Sequence, residues 1–115
     1  MHFEETKEFK KEFKKLLKKY RTLESDFVTL KEFLSVYPKG YDPRIVRVSN
    51  VKVVVEIYKV RHFPCRALKN RGSRSGIRVI YAYKEEDGLI HFSEMYYKER
   101  DNSDCDKQRI LDYFG

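Results

Sequence analysis

The spacing of apolar residues changes near residue 43, and this change limits the fold more than any other feature of the sequence. Before it, apolar residues recur every three or four positions, which predicts helices over 5–20 and 24–36. Only a few residues separate these helices, so the sequence predicts an antiparallel helical hairpin over 5–36. After it, apolar residues alternate with polar ones or form β-branched and aromatic runs, which predicts β-strands.

The second part of the chain is predicted to form a sheet over 44–98. Its strands are expected at 44–50, 53–63, 76–84 and 89–98. The pair Asp87-Gly88 is typical of a hairpin turn between the last two strands. A short helix is predicted over 103–113. This order predicts one α+β domain over 1–115, with the helical hairpin on one face of a four-stranded antiparallel sheet and the other face open.

Positive charge is concentrated in the middle of the chain, whose net charge is +7. Residues 44–84 carry eleven basic residues and one acidic residue, whereas 85–115 carry four basic and nine acidic residues. A field of one sign attracts anionic partners and speeds their arrival. The distribution therefore favours binding of a polyanion, with a solvated lysine and arginine surface as the alternative.

The two cysteines, Cys65 and Cys105, stand at no metal-ligand spacing. This usage predicts reduced thiols in the cytoplasm, with neither metal nor cofactor. A disulfide between the two cysteines, or a zinc site formed with His62 and His91, stays open as an alternative. No apolar run reaches the length of a membrane span and no hydrophobic signal segment opens the chain, so we expect a cytoplasmic protein with no membrane contact.

Three segments together resemble the RelE/ParE toxin superfamily of bacterial and archaeal toxin–antitoxin modules. They are "IYKVR" (57–61), "RSGIRVIYAY" (74–83) and "IHFSEMYYKERD" (90–101). The similarity runs through 44–113 and fits RelE-like members better than ParE-like ones. It implies two N-terminal helices on an antiparallel sheet with a concave basic face. RelE-like toxins cut mRNA on the ribosome without a metal ion, through basic and aromatic residues.

The resemblance also implies the roles of individual residues. In this chemistry the RNA 2′-hydroxyl attacks the neighbouring phosphorus, and guanidinium groups stabilise the charge that develops there. By position, Lys59 matches a base or electrostatic helper, Arg61 a phosphate ligand and Arg78 the transition-state clamp. Lys98 and Arg100 lie where the family carries its second catalytic arginine.

RNA contacts are expected from a basic loop and from aromatic side chains that can stack on splayed bases. The predicted RNA-binding residues are Arg66, Lys69, Arg71, Arg74, Tyr96, Tyr97 and Tyr113. Of these, Tyr113 is the nearest match to the family's C-terminal catalytic aromatic residue. Simpler interpretations are that Lys59 and Arg61 are protective charges at a sheet edge, and that Arg78 pairs with Glu94 across the hairpin.

The expected partners are mRNA, the ribosome and a cognate antitoxin. An acidic or amphipathic segment of the antitoxin would cover the basic face, displace a helix, or bind an apolar groove between the helix pair and the sheet. Two other functions stay open. One is a ParE-like toxin that inhibits DNA gyrase without catalysis. The other is a degenerate member that only binds RNA or a partner, which the acidic residues Asp101, Asp104 and Asp106 favour.

Overall fold

The computed structural model describes residues 1–67, 76–98 and 104–115. Within these ranges the chain forms three helices and five strands, in an α+β arrangement. The elements are β1 (His2–Glu5), α1 (Lys7–Lys19), α2 (Leu23–Val36), β2 (Ile45–Arg47), β3 (Glu56–Val60), β4 (Ile77–Lys84), β5 (Leu89–Tyr97) and α3 (Lys107–Phe114). A 3₁₀ turn over Glu85–Asp87 joins β4 to β5 and ends at Gly88, whose backbone is left-handed.

The sheet has five strands in the order β1-β5-β4-β3-β2, and it is mixed. The prediction of four antiparallel strands is therefore wrong in one respect, because His2–Glu5 adds a strand parallel to β5. This segment has only four residues and two of them are glutamates, so it shows no strand pattern of its own. The first helix consequently begins at Lys7 rather than at residue 5. Its N-cap is Thr6, whose hydroxyl oxygen accepts a hydrogen bond from the Phe9 amide at 3.1 Å.

One face of the sheet, which we call the helix face, packs against α1 and α2. On β4 it carries Ile77, Val79, Tyr81 and Tyr83, all of them buried. An aromatic contact anchors the helices there, since the rings of Phe9 and Phe27 lie with centroids 5.4 and 4.8 Å from that of Phe92. Burying large aromatic rings in this way supplies much of the free energy of folding. The predicted packing of the helical hairpin on one face of the sheet is confirmed.

The opposite face, which we call the α3 face, was expected to be open, and that expectation is wrong. The buried side chains of Ile57, Ile80 and Ala82 on this face pack against Ile110 of α3. Valines of the segment before β3 add to the same cluster. The helix itself begins at Lys107, not at residue 103, after the N-cap Asp106. Amphipathic spacing in so short a helix did not reveal that its apolar side would cover the sheet.

The sheet separates the two cysteines. Cys65 lies in the core of the helix face and Cys105 in the cluster of the α3 face, and both are buried free thiols. A disulfide between them is therefore excluded, as is a zinc site that uses both. Among the helices described, none is both long enough and apolar enough to span a bilayer.

A β-bulge in β5 decides which of its side chains lie on each face. Tyr81 pairs with Phe92 but Ile80 pairs with Glu94, so Ser93 is an extra residue on β5. After the bulge the alternation is reversed. Met95 therefore joins Phe92 on the helix face although three positions separate them, and Glu94 turns to the α3 face.

We predict that Thr6→Ala destabilises the protein by about 1–2 kcal/mol, because it removes a helix cap and a buried hydroxyl that also donates to the Ser93 carbonyl. Urea unfolding followed by circular dichroism measures the effect. Thr29→Ala is the matched control, since that hydroxyl is exposed and bonds only within α2. Equal unfolding midpoints for the two variants would contradict the proposed coupling between β1, α1 and the bulge.

Candidate functional site

Three of the predicted catalytic cations lie together on the α3 face. Lys59 pairs with Ile80 across β3 and β4, and Arg78 lies two residues before Ile80 on the same face. Arg61 follows β3 and is exposed. Burial lowers the pKa of the Arg78 guanidinium, and the nearby charge of Arg61 lowers it further. The sheet therefore brings Lys59, Arg61 and Arg78 into one electropositive group.

Tyr96 joins this group because of the bulge. It lies directly opposite Arg78 in the β4–β5 register and packs in the cluster of the α3 face. Its hydroxyl is buried and has no hydrogen-bond partner among the described residues. Burial raises the pKa of this phenol, which keeps it protonated at neutral pH. Tyr96 can thus offer a hydrogen-bond donor next to Arg78.

Tyr97 lies on the other side of the sheet. It packs against the core of the helix face, with its ring stacked on Tyr20 at a centroid distance of 6.3 Å. The same ring covers Gly76, where φ is +90° and a Cβ atom would lie 3.1 Å from it. The glycine before Arg78 is thus required by backbone conformation and by close packing. Lys98, which is exposed, donates its amide to the Gly76 carbonyl at 2.7 Å, so it lies where β5 ends beside the start of β4.

An acidic residue contacts the first of the three cations. The Lys59 ammonium donates to an Asp104 carboxylate oxygen at 2.9 Å. The same oxygen accepts the Cys105 amide at 2.8 Å. These two hydrogen bonds lower the pKa of Asp104 to about 2, and the one from Lys59 has the larger effect. Lys59 is therefore partnered within the chain, and it is not a protective charge on a sheet edge, because β3 lies between β2 and β4.

Glu94 is a buried carboxyl group that binds α3 to the sheet. One of its oxygens accepts the Asp106 amide at 2.7 Å, and its side chain is on the α3 face. Burial raises its pKa to about 7, although the Asp106 amide and the charge of Arg109 act in the opposite direction. The interpretation of Glu94 as the cross-strand partner of Arg78 is wrong, since the residue opposite Arg78 is Tyr96.

A second group of contacts fastens α3 to α1, and sequence reasoning missed it. Both terminal nitrogens of Arg109 donate to the Glu12 carboxylate, at 2.9 and 3.1 Å, and one also donates to the Ser93 carbonyl at 3.0 Å. Further along α3, the Tyr113 hydroxyl donates to Glu8 at 2.6 Å. Tyr113 therefore holds α3 against α1 and lies apart from the cation group.

Arg66 also lies apart from the cations of the α3 face. Its side-chain Nε and its amide both donate to the Asp26 carboxylate of α2, at 3.0 and 3.1 Å, and Nη2 contacts Ser25. This places Arg66 beside the helix pair. The remaining predicted residues, Lys69, Arg71, Arg74 and Arg100, lie outside the described residues.

Comparisons of the chain with protein-family models, with curated proteins and with solved structures give no match. Within the described residues, no group of three or more His, Cys, Asp or Glu side chains is arranged to hold a metal ion. Function therefore has to be inferred from the chemistry of the site itself. That site combines three cations and a phenol on one face of the sheet, with acidic groups from the C-terminal segment beside them.

We predict that Glu94→Gln changes how stability depends on pH. Because the pKa of Glu94 is raised from 4.5 to about 7, the folded state binds more protons than the unfolded state between these values. Wild-type stability should therefore fall by about 2–3 kcal/mol as pH rises from 4.5 to 8, and the glutamine variant should lose that part of the slope.

Urea unfolding at pH 5, 6, 7 and 8 gives the two profiles. Glu86→Gln is a suitable control, because that carboxylate is exposed in the turn between β4 and β5. Profiles of wild type and Glu94→Gln that stay parallel across the range would show that Glu94 ionises in the folded protein as it does in the unfolded chain.

Proposed function

We propose that this protein is a RelE-like toxin that binds mRNA on the ribosome and cleaves it without a metal ion. The observation that carries the proposal is the position of Lys59, Arg61 and Arg78 together on the α3 face. Like charges this close repel one another, which costs stability in the free protein. A phosphodiester bound among them would remove that repulsion.

The proposed reaction is a transesterification within the RNA. The 2′-oxygen forms a bond to phosphorus as it loses its proton, and the bond from phosphorus to the 5′-oxygen breaks as that oxygen gains a proton. Negative charge increases on the phosphoryl oxygens between these events. Arg78, half-buried and fixed on a central strand, is suited to stabilise that charge, because a preorganised donor need not reorganise during the reaction. The exposed Arg61 would position the phosphate.

Lys59 would stabilise the negative charge on the phosphoryl oxygens and would not act as the base that accepts a proton. Its ammonium already donates to Asp104, so it acts as a donor and as a positive charge. Tyr96, opposite Arg78, is protonated and could donate to a phosphoryl oxygen or to the leaving oxygen once the site admits RNA. Lys98, one of the two residues matched to the family's second catalytic arginine, would extend the contacts with RNA at the end of β5.

A second candidate is a member of the same superfamily that binds RNA without cutting it. The ion pair between Lys59 and Asp104 favours this candidate, because it occupies a cation that the proposed cleavage uses. Tyr113, the match to the family's catalytic aromatic residue, bonds to Glu8 instead and lies apart from the cation group. Primer extension on ribosome-bound mRNA separates the two candidates, and a gyrase supercoiling assay separates both from a ParE-like inhibitor of gyrase.

We also propose where an antitoxin would bind. A groove of about 310 Å³ lies between α2 and the end of β3, with Leu30, Ile45 and Val60 on its floor. Arg44, stacked over the Phe33 ring at 5.0 Å, stands at its rim. Aromatic and arginine side chains around an apolar hollow are typical of protein-binding surfaces. Because the rim is cationic, the proposed occupant is an amphipathic segment with acidic flanks.

We predict that Arg78→Ala lowers ribosome-dependent mRNA cleavage by about 100- to 1,000-fold, as expected when one preorganised donor to the transition state is lost. Primer extension on translating ribosomes, with purified protein, measures the rate. Arg44→Ala removes the same charge from beside α2, where its guanidinium lies over the Phe33 ring, and should cleave at nearly the wild-type rate.

Primer extension, together with assays of RNA binding and of gyrase supercoiling, distinguishes the candidate functions. Protection of ribosome-bound RNA without cuts by the wild type would favour the RNA-binding member. Inhibition of gyrase supercoiling, with no cuts and no RNA binding, would favour the ParE-like function. Equal cleavage by Arg78→Ala and Arg44→Ala would show that the cation group of the α3 face is not the catalytic site.

A further inference from the structure

A second anion-binding position lies beside the cation group on the α3 face. It is a cavity of about 180 Å³ between the end of β2, Lys59 and the start of α3. Lys59 and Lys107 bring positive charge to it, and Ser49 and Asn50 add polar groups at its margin. This volume is several times the roughly 30 Å³ of one water molecule, so the cavity has room for a phosphate group.

The chain places its own anion in this cavity. The Asp104 carboxylate accepts from the Lys59 ammonium at 2.9 Å and from the Cys105 amide at 2.8 Å, and the charge of Lys107 acts on it as well. An ammonium, a backbone amide and a second lysine are also the donors that proteins use to bind phosphate oxygens. Asp104 is thus in the position that a phosphate oxygen would take.

The exposure of these two side chains would allow a phosphate to replace the Asp104 carboxylate. The Asp104 side chain is 57% exposed, so it can leave the cavity without opening the core, whereas the Lys59 side chain is 24% exposed and held in the sheet. Exposed ion pairs contribute little net stability because water screens them. A polyanion that already contacts Arg61 and Arg78 would therefore displace the carboxylate at small cost.

We propose that this cavity is a phosphate subsite for single-stranded RNA, and that Asp104 fills it in the free protein and thereby limits the affinity for RNA. The inference rests on the proposed function, since it names a further position at which the same RNA would be bound. It also gives Asp104 a role, as an internal competitor of the substrate.

Asp104→Asn tests the proposal, because asparagine keeps an oxygen that can accept the Cys105 amide but loses the charge that holds Lys59. We expect it to bind RNA about twofold to fivefold more tightly than wild type. Since Lys59 becomes free for one more phosphate contact, the slope of log affinity against log salt concentration should also steepen by about 0.7. Fluorescence anisotropy with a labelled 12-nucleotide oligouridylate, from 50 to 300 mM KCl, measures both quantities.

Asp112→Asn is the matched control. It removes the same charge eight residues further along the chain, on α3, where Asp112 is exposed and bonds to Gln108. This variant should differ little from wild type in affinity and not at all in salt slope. The double variant Lys59→Gln with Asp104→Asn should lose the gain, because the freed ammonium is then absent. Thermal unfolding of every variant checks that the fold is retained.

Each result has a distinct meaning. Equal affinities and slopes for Asp104→Asn and Asp112→Asn would overturn the subsite while leaving the cleavage test on Arg78 unaffected. A gain that persists in the double variant would also overturn it, since the gain would come from general charge and not from Lys59. The predicted gain together with a failure of ribosome-dependent cleavage would support the subsite and reject the proposed nuclease activity.

Discussion

The one-residue bulge at Ser93 is the constraint on which the α3 face depends. With uninterrupted alternation, Glu94 and Tyr96 would share a face with Phe92 and point into the core beneath the helices. The bulge places both Phe92 and Met95 in the core of the helix face, and it also turns Glu94 and Tyr96 toward α3. This single bulge thus allows apolar packing on the helix face and places polar side chains next to Arg78 on the α3 face.

Side chains near the bulge also cover the edge of β5. The strand β1 covers β5 only as far as Phe92, and beyond it Glu12 accepts the Met95 amide while Arg109 donates to the Ser93 carbonyl. Exposed strand edges favour association with other chains, so covering this edge protects the protein. The contacts of Arg109 with Glu12 and Ser93 also fix α3 over the face that carries the cations, where Asp104 just before this helix contacts Lys59. Opposite charges from distant parts of the sequence are therefore neighbours in the fold.

Sequence reasoning was correct where regular periodicity decides the outcome. It identified the helical hairpin, the strand pairs and the common face of Lys59 and Arg78, because alternation within β3 and β4 is undisturbed. It missed β1, whose four residues carry too little pattern, and the bulge, whose one signal is the three-residue step from Phe92 to Met95. The contact of Lys59 with Asp104 joins residues 45 positions apart, and only the docking of α3 determines it.

We propose that the phosphates of RNA bind among the cations of the α3 face. Binding there can be observed by NMR of the side-chain Nε–H groups of arginine, during titration of the ¹⁵N-labelled protein with a short single-stranded RNA. Large shifts are expected for Arg61 and Arg78, and small ones for Arg44 and Arg66, which lie beside α2. Large shifts of Arg44 and Arg66, with Arg61 and Arg78 unchanged, would show that RNA binds elsewhere on the protein.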